Sequence, residues 1–231
     1  MAPRLSIVIP TLNEAATIEV RLAALKPLRH EGIQIIIADG GSSDSTVARA
    51  TAWVDLIIDA PRGRAAQMNA GARHAIAPAL LFLHADTTLP DEAISLIEHA
   101  LQQSAWGRFD INLSGTHSML HVIATMMNWR SRLTGIATGD QAIFVRRSVF
   151  EQLNGFAPIA LMEDIELCRR LKKISAPACL RQRVISSGRR WQQHGVWRTI
   201  WLMWRLRLAY FFGADPHDLA VRYGYLPQLD G

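Results

Sequence analysis

Leu80-Leu81-Phe82-Leu83-His84-Ala85-Asp86 is the stretch on which the reading of this chain turns. An apolar run that meets polar residues at once predicts a strand, Leu80 to Ala85, buried on both faces and running into an acid. The same phrase occurs twice upstream. Leu5-Ser6-Ile7-Val8-Ile9 is closed by Pro10 and followed by Thr11, Asn13 and Glu14, and Ile33-Gln34-Ile35-Ile36-Ile37-Ala38 runs into Asp39-Gly40-Gly41-Ser42-Ser43. Between these runs the spacing is helical. Asn13 to Leu25 places Ile18, Leu22 and Leu25 on one face, a helix starts near Asp44 with Ser42 and Ser43 as further N-caps, and a small-residue helix runs from Arg64 to Ile76. Leu56 to Ile58 adds a short strand, and Pro90-Asp91-Glu92 opens the next helix. Strands alternating with helices predict an α/β fold with a mostly parallel sheet covered on both faces. Such sheets bind ligands at the carboxyl ends of their strands. Thr11, Asn13 and Glu14, then Asp39, then Asp86 all follow strand ends, and that convergence is the first functional signal.

After residue 105 the rhythm changes. Trp106 to Leu113 reads as a strand, His117 to Leu133 as a helix, Gly139 to Arg146 as a strand, Met162 to Leu171 as a helix and Ala178 to Ile185 as a strand, followed by a Trp- and Arg-rich helical tail. No linker or repeat marks a boundary, so the 231 residues read as one domain.

Hydrophobic residues make up 49% and charged residues 19%, an ordinary globular balance. The net charge of +5 is unevenly spread: eleven Lys and Arg and no acid lie between Glu166 and Asp215. Such a block suits an anionic partner, whether a diphosphate, a nucleic acid or an acidic membrane surface. No nucleic-acid-binding module accompanies the charge, so a nucleic acid is not expected. Cys168 and Cys179 stand alone, without metal-ligand spacing, which argues against a disulfide framework or structural zinc. No signal-peptide core opens the chain and no stretch reaches 18 uncharged apolar residues, so a cytoplasmic protein is expected.

No GxGxxG or GxxxxGK[ST] occurs, which excludes a P-loop. What remains is a series of dispersed acids in a specific order. SIVIPTLNE (6–14), IIIADGGSSDST (35–46), RGRAAQMNAG (62–71), LFLHADT (81–87) and MEDIELCRRL (162–171) together resemble family 2 of the glycosyltransferases, which have the GT-A fold. LFLHADT and GDQAIFVRR (139–147) resemble a small bacterial subgroup of it. Any one motif is weak; five in order, over roughly residues 4–190, are specific.

The resemblance implies a division of labour: 1–105 is the nucleotide-sugar-binding half and 106–231 the acceptor half with its helical tail. Pro10, Thr11, Asn13 and Glu14 then form the first nucleotide loop, and Asp39 accepts from the uracil edge. Arg64 and Asn69-Ala70-Gly71 lie along the nucleotide, although close packing through Ala65, Ala66, Ala70 and Gly71 explains the same small residues. His84-Ala85-Asp86 stands where the family usually has Asp-x-Asp. Asp86 is thereby implied as ligand of Mg²⁺ or Mn²⁺, which neutralises the leaving diphosphate. His84 departs from the pattern, as a second metal ligand favouring Mn²⁺, a ribose contact or a satisfied strand-end histidine. Glu163 and Asp164 match the family's acid pair, with Asp164 as general base on the acceptor hydroxyl; a helix N-terminus also favours acids there. Asp110, Asp140 and Trp191 fall towards the acceptor, while Arg189 and Arg190 are candidates to grip a diphosphate.

In the tail from Gly195 to Gly213, Trp197, Trp201, Trp204 and Leu208 form one stripe, flanked by Arg198 and Arg205 on one side and Arg207 on the other. Leu202, Met203 and Leu206 lie opposite. A helix apolar nearly all round must bury itself against the domain, a second subunit or a bilayer surface. The expected activity is metal-dependent transfer of a sugar, with inversion, from a nucleoside diphosphate donor, UDP-linked, to a hydroxyl of a small or lipid-linked acceptor. A location peripheral to the inner face of the membrane goes with the bilayer alternative. The rivals are a non-catalytic nucleotide-binding relative, which His84 favours, and a sugar-nucleotide pyrophosphorylase, disfavoured because PTLNEAAT (10–17) lacks the glycine-rich loop that such an enzyme needs after its first strand.

Overall fold

Residues 2–225 are described by the structure, a computed structural model. Its frame is a seven-stranded sheet in the order β3-β2-β1-β4-β6-β5-β7. The apolar runs become β1 (Leu5–Thr11), β2 (Ile33–Asp39), β3 (Leu56–Asp59) and β4 (Ala79–Phe82), which are mutually parallel. β5 (Trp106–Ser114) and β7 (Ala178–Ser187) form a second parallel pair, and β6 (Phe144–Arg146) lies between β4 and β5, antiparallel to both. One sheet therefore runs through both halves of the chain.

The runs of β-branched residues follow from burial on both faces. Leu5, Ile7, Ile9, Ile33, Ile35 and Ile37 meet α1 (Ile18–His30), α4 (Ala93–Gln103) and α5 (Met119–Thr134) on one side. Val8, Ile36, Leu80 and Phe82 meet α3 (Arg64–Arg73), α6 (Arg147–Gln152) and α7 (Glu163–Leu171) on the other. At about 25 cal/mol per Å² of apolar surface, these two layers supply most of the driving force for folding. The small residues of α3 are explained by contact with β1: a Cβ on Gly71 would stand 2.3 Å from Val8 Cγ1.

Departures from the expected elements have local causes. The first helix begins at Ile18 rather than Asn13, because residues 13–15 build a loop. Asn13 takes a left-handed φ of 54°, its amide donates to Ser42 Oγ at 2.9 Å, and its Oδ1 accepts from the Ser43 amide at 2.9 Å. The short α2 (Thr46–Ala50) is started by Asp44, whose Oδ1 accepts from the Thr46 amide at 2.9 Å. Gly139–Gln141 is a 3-10 turn, not strand, held by reciprocal bonds between Thr138 and Gln141. Pairing starts only at Phe144, after Ala142 adopts a φ of 49°.

The tail is three helices, α8 (Arg189–His194), α9 (Val196–Phe211) and α10 (Pro216–Tyr223), broken at Gly195 and Gly213, whose φ values of 81° and 86° suit glycine. Leu206 is buried and clusters with Met162, Ile165 and Leu219, joined by half-buried Leu202 and Met203. The side of α9 opposite the tryptophans thus packs on the domain. Among the described residues no helix is long and apolar enough to cross a membrane.

Candidate active site

The parallel strands deliver their carboxyl ends to one edge, and three loops meet there. Asp39, 2% exposed, ends β2. Its Oδ2 accepts from the amides of Gly41 (3.0 Å) and Ser42 (2.7 Å), and its Oδ1 from the hydroxyls of Ser42 (2.6 Å) and Thr11 (3.2 Å). An ionised carboxylate offers about four acceptor sites, and the loop itself fills all of them. Asp39, the residue expected to read a base, thereby also knits the β1 and β2 loops together. Gln67 of α3, which sequence reasoning passed over, does the same from below: its buried Nε2 donates to the carbonyls of Thr11 (2.7 Å) and Ala38 (2.8 Å).

Asp86 follows β4 across this edge. Apart from a 3.4 Å contact with Thr87 Oγ1, its carboxylate faces Arg189, whose Nη2 stands 4.0 Å from Asp86 Oδ2 and 3.6 Å from Glu14 Oε2. One guanidinium thus spans the acids of two loops. Arg190, the next residue, points away. It stacks 3.6 Å from the centre of the Tyr223 ring and donates to the Tyr223 carbonyl at 2.6 Å, fastening α10 to the domain. Trp191 packs against the core.

A second group of titratable residues adjoins the first. His84 Nδ1 lies 3.1 Å from Asp140 Oδ1. Its Nε2 abuts Gly139, where an added Cβ would come within 2.5 Å of it. The ring thus pairs with Asp140 through Nδ1 and packs its Nε2 edge against the turn. Gly139 in turn donates its amide to Asp164 Oδ2 at 2.9 Å, while Asp164 Oδ1 accepts from the Ile165 amide at 2.7 Å. Glu163, 5% exposed, completes the acid pair at the start of α7. Met162 sets the pair's entry with a left-handed φ of 70°.

Electrostatics separate these acids. Burial, reinforced by the neighbouring Asp164 charge, pushes Glu163 up to about 7. Burial also raises Asp164, against its two backbone hydrogen bonds. Burial works on Asp140 in the same sense, but the hydrogen bond and charge of His84 outweigh it and hold Asp140 below the usual carboxylate range. A carboxylate raised towards neutrality beside one held ionised is the arrangement that general acid–base chemistry requires. Arg130 of α5, which the sequence did not mark, adjoins this group: its buried Nε and Nη2 have no partner among the described residues, and burial lowers the guanidinium below its ordinary range against the nearby Asp164 charge. Asp110 sits elsewhere, buried in a pairing with Arg108 and Arg132 that ties β5 to α5.

The sequence matches the model of a family described as Glycosyl transferase family 2 over residues 6–153. The succinoglycan biosynthesis protein ExoA of Rhizobium meliloti is 38% identical over 114 residues, which are 43% of this chain and 33% of that one. A probable glycosyltransferase of Bacillus subtilis, YdaM, is 24% identical over 90% of this chain and 54% of its own length. The chain thus spans a third to about half of these two curated relatives. In fold it is similar to a mannosyltransferase from Pyrobaculum calidifontis solved with GDP-Man and Mn²⁺, with a TM-score of 0.64, 18% identity, and coverage of 96% of this chain and 65% of that one. A glucosyl-3-phosphoglycerate synthase from Mycobacterium tuberculosis, solved with Mn²⁺, UDP and glucosyl-3-phosphoglycerate, gives 0.60 at 19% identity, over 98% of this chain and 82% of that one.

Proposed function

This chain belongs to glycosyl transferase family 2, and from that premise we propose that it moves a sugar from a nucleoside diphosphate donor, UDP-linked, to a hydroxyl acceptor with inversion. The observation that carries the reading is the meeting of two groups at one sheet edge: Glu14, Asp86 and Arg189 on one side, and Asp164 tied to Gly139 on the other.

In this reading the loops of β1 and β2, braced by Asp39 and Gln67, cradle the nucleoside, and Arg189 turns from Glu14 and Asp86 to the diphosphate. The residues present suit a divalent ion that arrives with the donor. Among the described residues no three His, Cys, Asp or Glu cluster to hold one alone. Asp86 keeps carboxylate capacity free, and one carboxylate with phosphate oxygens and waters is a common Mg²⁺ or Mn²⁺ set. Such an ion supplies charge neutralisation for the leaving diphosphate. His84, with Nδ1 on Asp140 and Nε2 in no hydrogen bond among the described residues, is the candidate second ligand of that set.

Asp164 takes the proton from the acceptor hydroxyl as its oxygen attacks the anomeric carbon, and a single displacement inverts that centre. Glu163, buried beside Asp164 at the start of α7, orients the acceptor. In this reading residues 1–105 serve the donor, joined by Arg189, and the remainder of 106–231 serves the acceptor. The test is turnover of UDP-sugars with Mn²⁺ and a panel of hydroxyl acceptors. Release of UDP with formation of the opposite anomer supports the reading. Tight UDP binding without turnover under any acceptor or metal would make the protein a non-catalytic relative.

A further inference from the structure

One feature of the molecule is used neither by the fold nor by the cleft. Trp197, Trp201, Trp204, Leu208 and Phe211 recur at helical spacing along α9 and form one stripe. The stripe is open to solvent: Trp197 is 71% exposed, Trp201 67%, Trp204 70% and Phe211 71%. α9 does not need this face for anchoring, because Val196, Thr199 and Leu206 are buried on its other sides. Arg198 and Arg205 flank the stripe and are exposed. α9 contains no acidic residue, and none occurs between Glu166 and Asp215.

We propose that α9 seats the protein on an anionic lipid surface, with the tryptophan stripe in the headgroup region and Arg198 and Arg205 on lipid phosphates. Indole prefers the boundary between water and hydrocarbon, and guanidinium binds phosphate in bidentate fashion. An apolar aromatic face with basic flanks is the pattern of a helix that lies in the interface plane. Charge selects this occupant over a second copy of the chain. A two-fold contact sets a patch against itself, so the arginines of one α9 would face those of the other with no carboxylate of that helix between them.

The docking has a geometric consequence for the cleft. Met162 and Ile165, which bracket Glu163 and Asp164, share a cluster with Leu206 on the inner side of α9. A docked α9 therefore holds the acid pair about one helix diameter, roughly 10 Å, from the lipid surface. That distance suits an acceptor hydroxyl carried on a membrane-resident molecule. The consequence depends on Asp164 being the base; the docking itself does not.

The test is co-sedimentation of the full chain with phosphatidylcholine vesicles, and with vesicles of equal parts phosphatidylcholine and phosphatidylglycerol. The chain should partition to the anionic vesicles, and release as salt rises from about 0.1 M to about 1 M and the screening length falls from about 10 to about 3 Å. The combined Trp197→Ser, Trp201→Ser, Trp204→Ser variant should keep its melting temperature and lose about tenfold or more in partitioning. If that variant fails to fold, the Arg198→Glu, Arg205→Glu variant decides, since both positions are exposed, and it should lose anionic binding to a similar degree. Parent protein that stays in the supernatant with anionic vesicles overturns the proposal, as does a folded variant of either kind that binds like the parent. Light scattering that shows a parent dimer, made monomeric by the tryptophan changes, assigns the stripe to a second copy and also overturns it.

Discussion

The amide of Gly139 donates to Asp164 Oδ2 at 2.9 Å, so the candidate base is held by the same three-residue turn that carries Asp140, the partner of His84. The proposed base and His84 are thereby linked through one glycine. Four predictions follow from this arrangement and from the acids on either side of it.

Asp164→Asn keeps the side-chain volume but cannot take a proton. Transfer should fall by roughly 10²–10⁴-fold, the usual worth of a positioned base, with UDP affinity retained because the base acts on the acceptor alone. Transfer within a fewfold of the parent would move the base elsewhere, with Asp140 the next candidate.

Asp86→Ala separates metal-assisted from metal-free donor binding. In calorimetry, UDP affinity should weaken in Mn²⁺ and stay nearly constant without it. Equal losses in both conditions would remove Asp86 from the ion's coordination shell.

Gly139→Ala places a Cβ within 2.5 Å of His84 Nε2, and the strain can be relieved only by displacing the ring or the turn. Either movement disturbs the hydrogen bond to Asp164, so transfer should drop about tenfold or more, as happens when reacting groups lose alignment by about 1 Å. Combining it with His84→Ala removes the clash and should restore part of the rate. An unchanged rate in the single variant would show that Asp164 does not depend on this turn.

Glu163→Gln tests the raised pKa. The folded value of about 7 lies above the ordinary 4.5, so the folded state holds the proton more tightly than the unfolded chain. Stability from this group is complete below about pH 4.5 and is lost as pH rises through 7, a difference of up to about 3 kcal/mol. The glutamine variant has no such loss. Its melting temperature relative to the parent should climb between pH 4.5 and 7.5 and then level off; a difference that is flat with pH would place Glu163 among ordinary, solvated carboxylates.

The strand ends were legible because apolar runs broken by acids are a local pattern, and Glu14, Asp39 and Asp86 do reach one edge of the sheet. The His84–Asp140 contact was not, since the partners lie 56 residues apart and meet only because β6 inserts antiparallel between β4 and β5. Arg189 and Arg190 looked equivalent in sequence. On a helix, adjacent residues point about 100° apart, so one reaches Asp86 and the other stacks on Tyr223. A wheel of the tail sorted its faces correctly but could not say which one the domain would cover. That was settled by Met162, Ile165 and Leu219, which no periodicity within α9 reveals.

The antiparallel β6 has a mechanical consequence. It stitches β4 to β5 by ladders on both of its edges, so the two halves of the chain, proposed to serve donor and acceptor, share a single stiff plate instead of forming two lobes about a hinge. Admission and release of substrates then fall to the loops at the plate's rim, such as residues 136–143 and 186–188, and not to a jaw. Donor binding should leave the radius of gyration in X-ray scattering unchanged while slowing amide exchange in those rim segments, the signature of a latch and not of a clamp.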